Sequence, residues 1–147
     1  MSYPKWWDTT ITIYNKHEDD ITHVVLWVRT IVNNVFWKYV WQTMNVGEQV
    51  FETNKILCRI PENPNFLQKY EWIRIPNDLM SNYFTLARGD IIIRGEVNDE
   101  IDEYISGKRS TDLISKYKDM QGCFTIEAIS LNVGSGRVYP HYLVEGI

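Results

Sequence analysis

The 147-residue sequence predicts a mainly β protein: a small antiparallel barrel or sandwich with one long hairpin and one short helix. Three observations carry that expectation. Short runs of alternating apolar and polar residues recur along the chain, each stopped by Gly, Pro, Asn or Asp. One stretch, Ile21 to Met44, is rich in β-branched and aromatic residues. A single segment, Asn98 to Met120, is polar and compatible with a helix.

Residues 1–8 read as an N-terminal arm, because Pro4 interrupts any regular element and the pair Trp6-Trp7 is poorly served by water. Residues 9–147 then form one domain, a size that can bury a real core. Thr9 to Tyr14 alternates as a strand, and the polar run Asn15 to Asp20 turns into the aromatic stretch. Within that stretch, Thr22 to Val32 and Val35 to Thr43 meet at Asn33-Asn34, and Asn tolerates the positive φ of a tight turn. A two-residue turn there sets Thr30 against Trp37, Val28 against Tyr39, Leu26 against Trp41 and Val24 against Thr43 on one apolar face. It also sets Arg29 against Lys38. Facing like charges are unfavourable, so either the register differs or an acidic group sits nearby.

Val46-Gly47-Glu48 closes the hairpin, and a strand follows from about Phe51 to Ile60, where Pro61-Glu62-Asn63-Pro64 makes a loop. Tyr70 to Ile75 alternates as a half-exposed strand, ended by Pro76-Asn77-Asp78, with one helical turn near Leu79-Met80. Arg88-Gly89-Asp90 turns into the apolar strand Ile91-Ile92-Ile93. In the polar segment 98–120, Ser110-Thr111-Asp112 can cap a helix with Leu113, Ile114 and Tyr117 on one side. Gly122 restarts β structure from Phe124 to Leu131, and Gly134-Ser135-Gly136 turns into a last strand from Val138 to Val144, marked by Pro140 as an edge or a bulge.

Composition narrows the function classes. The net charge is −4 and the Lys and Arg residues are scattered, which argues against a dedicated nucleic-acid surface. Six tryptophans and nine tyrosines exceed what a core of this size needs. They either fill the β core or serve an interface, and both readings can hold for opposite faces of one strand. Cys58 and Cys123 lie in apolar runs without C-x-x-C spacing, so they are buried free thiols of a reducing compartment or a single pair. The first residues lack the apolar core of a secretory leader, and no apolar run has the length of a membrane-spanning helix.

No catalytic or metal-binding constellation emerges. His17, His23 and His141 are far apart and have no ligand-type neighbour at metal spacing. The acidic residues Glu96, Asp99, Glu100, Asp102 and Glu103 lack the spacing of a calcium loop and suit a solvated loop or helix start, answered by Lys108, Arg109, Lys116 or Lys118. Gly134 to Arg137 leads into a strand, whereas a phosphate-binding loop leads into a helix through Lys-Ser/Thr. The sequence therefore carries no expectation of an enzyme, a cofactor or a metal.

Three segments carry a resemblance: Arg88-Gly89-Asp90-Ile91-Ile92-Ile93-Arg94-Gly95-Glu96, Cys123 to Asn132, and Pro140-His141-Tyr142-Leu143-Val144-Glu145-Gly146. Together they are similar to the ending of the head-completion proteins of tailed phages, also called minor capsid or head–tail connector proteins. Thr10 to Asn15 and the run after it resemble that group's opening, and residues 98–120 look like an insertion relative to its shortest members. The resemblance implies a structural virion protein, assembled in the bacterial host cytoplasm. Its protomers would form a homo-oligomeric ring that acts as head closure (stopper) or a neighbouring connector layer. Portal or adaptor and tail proteins would be its partners, packaged DNA would lie close to the channel, and no membrane would be involved. It brings no catalytic residues.

On this reading the contact residues are Trp6 and Trp7 in the arm, Asn63 and Asn65 facing the channel, and the charged stretch with Asp99, Glu100, Asp102, Glu103 and Lys108. The reading from a different class is a ligand-binding β domain such as a carbohydrate-binding module, which also presents Trp and Tyr. Mass in solution with and without a portal or adaptor protein, set against pull-down on polysaccharides, separates the two. A chelator is expected to leave thermal melting unchanged, and a fall of several degrees would reopen the acidic cluster as a cation site.

Overall fold

The computed structural model describes residues 3–102, 107–118, 120–134, 136 and 138–147, with the side chains of 42–46 and 50–53 outside that description. Among the described residues there are six strands: β1 (Thr9–Glu18), β2 (Val25–Val46), β3 (Gln49–Pro61), β4 (Ile91–Arg94), β5 (Cys123–Asn132) and β6 (His141–Gly146). Two short α-helices, α1 (Lys69–Trp72) and α2 (Ser110–Lys118), and a 3-10 turn at Met80–Asn82 complete the described elements. The strands close a barrel in the order β1-β2-β3-β6-β5-β4, with β4 returning to β1, and every pairing is antiparallel.

The expected turn at Asn33-Asn34 is not a turn. β2 runs through it as one 22-residue strand. Its first half pairs with β1, up to Thr9 opposite Val35, and its second half pairs with β3 from Phe36 opposite Arg59. Thr30 therefore faces Ile13 and Val28 faces Asn15, while Trp37 faces Cys58, Tyr39 faces Ile56 and Trp41 faces Asn54. Between Thr9 and Ile11 the register slips by one residue, because three residues of β2 span what two of β1 span. This β-bulge carries Asn34 at φ 61°, so the left-handed tolerance of Asn bends a continuing strand instead of reversing it. The Thr10 hydroxyl donates to Asn33 Oδ1 at 2.8 Å across the bulge. Arg29 and Lys38 do not meet: the first lies opposite Tyr14 and the second opposite Leu57.

The extra residue also resets the alternation. Even-numbered residues up to Val32 and odd-numbered ones from Val35 share the inner face, which is why the hairpin reading picked the same face with the wrong partners. β5 bends in the same way: Ile126 pairs with Gly146, and the next pair is Ala128 with Glu145. There β6 comes so close that a Cβ on Gly146 would run into the Thr125 carbonyl and the Phe124 ring. These two bulges are the corners at which β2 and β5 leave the sheet around β1 and β4 for the sheet around β3 and β6.

Two apolar clusters follow from this path. Inside the barrel, Ile11, Ile13, Val35, Cys58, Ile92, Phe124 and Val144 are all but inaccessible. On its outer side, Tyr14, Ile91, Ile93 and Cys123 are covered by Val97, Ile101, Leu113 and Tyr117. Both faces of β4 are thus dry, which explains the unbroken run of three isoleucines. α2 starts at the expected Ser110 and buries Leu113 and Tyr117. Cys58 and Cys123 are free thiols in different clusters.

Residues 62–90 hold the expected loop after Pro61 and the helical turn at Met80, but not the expected strand. Tyr70 to Ile75 is not a strand; α1 and a following turn take its place. Trp72 alone in that run is buried, donating its indole N–H to the Tyr83 carbonyl and meeting His17 edge-on, and one deep anchor is satisfied by a helical turn as well as by a strand. The segment is tied to β1 through Asn15, which donates to the Thr85 carbonyl (2.6 Å) and to Asp90 Oδ2 (2.9 Å). Burial pushes the Asp90 carboxyl up, against the pull of its hydrogen bonds from the Lys16 amide, Asn15 and the Ala87 amide.

The bulge gives a direct test. Asn34→Gly keeps the positive φ without strain and should leave stability within about 0.5 kcal/mol, whereas Asn34→Val should cost about 1–2 kcal/mol. Denaturant unfolding measures both, and equal losses would mean that Asn34 does not need the left-handed conformation.

Candidate functional site

The β2–β3 pair outruns the barrel. From Val40 opposite Lys55 to Val46 opposite Gln49, the two strands pair only with each other among the described residues, because β1 stops at Val35 of β2 and β6 stops at Ile56 of β3. Gly47, at φ 64°, turns the ribbon with Glu48. Seven residue pairs at the usual rise extend about 20 Å. A two-stranded ribbon without a third strand or a packed face is marginal in water, so this one is suited to lie against something.

Its root is well packed. Trp37 sits against Phe124, and Trp37 and Tyr39 lie across Gly122, where a Cβ would come within 3.0 Å of the Trp37 ring and 2.5 Å of Tyr39 Oη. Exposure rises outward, to 45% at Tyr39 and 70% at Trp41. Leu26, Tyr39 and Trp41, set on one apolar face by the sequence, are therefore not buried as Val32 and Val35 are. The alternation is right, but the barrel beneath has ended.

The other expected contact residues are scattered. Trp6 is exposed, but Trp7 is buried in the protein's own aromatic cluster with Tyr3, Phe36 and Tyr139 at centroid distances of 5.3–6.2 Å, and it meets His141 edge-on at 5.8 Å. The arm is thus folded back as far as Trp7. His141 Nδ1 lies 2.7 Å from the Tyr139 carbonyl, which can only accept, so Nδ1 holds the proton and Nε2 accepts from Arg59 and Asn132. Tyr3 Oη donates to the Pro140 carbonyl. Asn63 is half-buried, its amide bonded to Tyr142 Oη and its Oδ1 to the Asn65 amide, while Asn65 is exposed.

The charged stretch is largely answered within the chain. Asp99 Oδ2 accepts from Lys116 Nζ (2.9 Å) and Tyr117 Oη (2.8 Å), and its backbone carbonyl accepts from Tyr14 Oη. Glu100 pairs with Arg29 at 3.0 Å, so the acidic neighbour that Arg29 called for is present. Asp102 and Lys108 exchange both backbone hydrogen bonds, and Glu103 lies outside the described residues. A cavity of about 320 Å³ opens here, lined by three carboxylates (Asp99, Glu100, Asp112) and three cations (Lys108, Arg109, Lys116). Balanced charge gives it no preference for an anion or a cation. Among the described residues no group of three or more His, Cys, Asp or Glu could hold a metal ion, and no helix is long and apolar enough to cross a membrane.

Sequence reasoning therefore named the aromatic run but missed its projecting part. The usable signal was Gly47-Glu48, a two-residue turn flanked by long extended runs on both sides.

These features define a small closed β-barrel domain with a projecting two-stranded ribbon. The chain belongs to a family of unknown function (DUF6751), whose profile matches residues 6–147. No curated protein and no solved structure matches it.

Hydrogen bonds from Lys116 and Tyr117 hold the Asp99 carboxyl below its ordinary value of 3.8. The unfolded chain then binds this proton more readily than the folded one. The stabilisation is present above pH 3.8 and is lost as pH falls through the lower folded value. Asp99→Asn should lower the melting temperature near neutrality and flatten its fall in acid. Parallel melting curves for the variant and the native protein would show that Asp99 does not hold α2.

Proposed function

We propose that this chain is a structural subunit of a protein assembly, and that the assembly is the head–tail connector of a tailed phage. Copies would form a ring between the DNA-filled capsid and the tail, meeting portal or adaptor proteins on one side and tail proteins on the other, within a virion assembled in the host cytoplasm. The observation that carries the contact role is the ribbon: about 20 Å of paired strand, seven residue pairs long, bearing an indole that is 70% exposed. Such an indole has the area and the amphipathic character of an interface anchor. The connector assignment rests on the likeness stated above, whose three segments lie on β4, β5 and β6, neighbours in the barrel order.

Ring subunits that must wait for a filled capsid do best as monomers or weak oligomers until they meet their partner. The test is capture by co-expressed portal and adaptor proteins, followed by electron microscopy for rings. Trp41→Ala should leave melting unchanged and weaken capture at least tenfold, about 1.4 kcal/mol. Exposed Trp41 and Tyr39 also suit a carbohydrate-binding module, so polysaccharide pull-down runs alongside. Retention on polysaccharide without capture by either virion protein would replace the connector reading with that one.

A further inference from the structure

In one half of the closed barrel two strands run on past the neighbours that complete it. The sheet formed by β2 beyond its bulge, then β3, β6 and β5 beyond its bulge, has four strands. Its outer strands are β2 from Trp37 on and β5 from Ala128 on. β1 has left β2 by Val35, and β4 pairs with β5 only as far as Thr125, after which Ile126 bonds to Asp90 and Gly89. Beyond those points, among the described residues, neither outer edge makes a backbone hydrogen bond on its far side. Unpaired edges are templates for strand addition, and soluble proteins usually blunt them with charge, proline or a covering loop. Here both also carry exposed apolar side chains: Tyr39 and Trp41 on one, Leu131 and Val133 on or just past the other.

We infer that the occupant of each edge is a second copy of this chain, the β2 edge of one copy adding to the β5 edge of the next. Strand direction supports this pairing. All three pairings within the sheet are antiparallel, so β2 and β5, at opposite ends of an even number of strands, run in opposite directions. Head-to-tail addition therefore joins them in the antiparallel sense and repeats the same junction at every step. Such a heterologous contact closes into a ring where its rotation allows. Charge agrees: exposed Lys38 lies on one edge and exposed Glu127 at the foot of the other.

Five residues of β5, Ala128 to Asn132, give a junction of about 17 Å, short beside the roughly 20–30 residues a side of stable complexes. A single junction is therefore weak, and a closed ring gains from holding many at once. The inference rests on the reading of the chain as an assembly subunit, and it names the partner and the two surfaces.

Two exposed-site variants test it. Trp41→Lys blocks the β2 edge and Leu131→Lys blocks the β5 edge; both side chains are exposed, so far-UV circular dichroism and melting should match the native protein. Sedimentation from about 1 μM to about 1 mM should show the native chain associating and each variant alone remaining a monomer. The mixture of the two variants should form a 1:1 dimer and nothing larger, since one intact edge of each kind remains. Overturning results are a native chain that stays monomeric throughout, or Leu131→Lys alone forming dimers, which would mean β2 edges pairing with each other. Capture by a portal or adaptor protein, measured separately, isolates the wider reading. Capture with a strictly monomeric chain would sink the edge junction alone, and self-association without capture would sink the connector alone.

Discussion

The barrel depends on β2, because the backbone of one 22-residue strand is paired along two different partners. β1 pairs with its first half and β3 with its second, and the change of partner falls where Asn34 takes a positive φ. A flat strand of that length would leave one partner unsatisfied or open the sheet. The single extra residue bends it, turns the inner face over from even to odd positions, and lets β4 reach back to β1. The matching bulge in β5, with Gly146 beneath it, completes the closure from the other side.

The two sheets this produces live in different environments. Around β1 and β4 both faces are dry, one against the barrel core and the other under α2 and the chain leading to it. Asp99 and Glu100 hold that cover in place through Lys116, Tyr117 and Arg29. Around β3 and β6 the inner face is packed, but the outer strands continue past their neighbours and end in water. Burial on both faces is thus confined to the first sheet, while the second keeps one packed face and two long outer strands.

Much of this was legible in the residues. The strand-rich class, the helix beginning at Ser110 and the dry character of Ile91 to Ile93 follow from alternation, capping and apolar runs that admit few other readings. The face carrying Val28 and Trp37 was legible too, since a turn and a one-residue bulge at Asn33-Asn34 impose the same change of parity. Partner choice was not, because that pattern is blind to which strand lies alongside. Tyr70 to Ile75 misled for a related reason: one buried Trp72 fits either period. Lys116 is among the cations expected to answer the acidic stretch and does pair with Asp99, whereas the pairing of Glu100 with Arg29 joins residues 71 apart, which spacing does not show. The aromatic nest of Trp7 was hidden likewise, being assembled from Tyr3, Phe36, Tyr139 and His141.

The two cysteines have a consequence of their own. Cys58 sits inside the barrel and Cys123 beneath the α2 cover, each alone in its cluster. Burial raises the Cys58 thiol well out of its reactive range and pushes Cys123 up to about 12, so neither offers a thiolate to an alkylating reagent while its surroundings are closed. Modification must wait for local opening. The chain thereby carries two native chemical probes at separate depths: alkylation at Cys123 times the lifting of the helical cover, and alkylation at Cys58 times the parting of the strands.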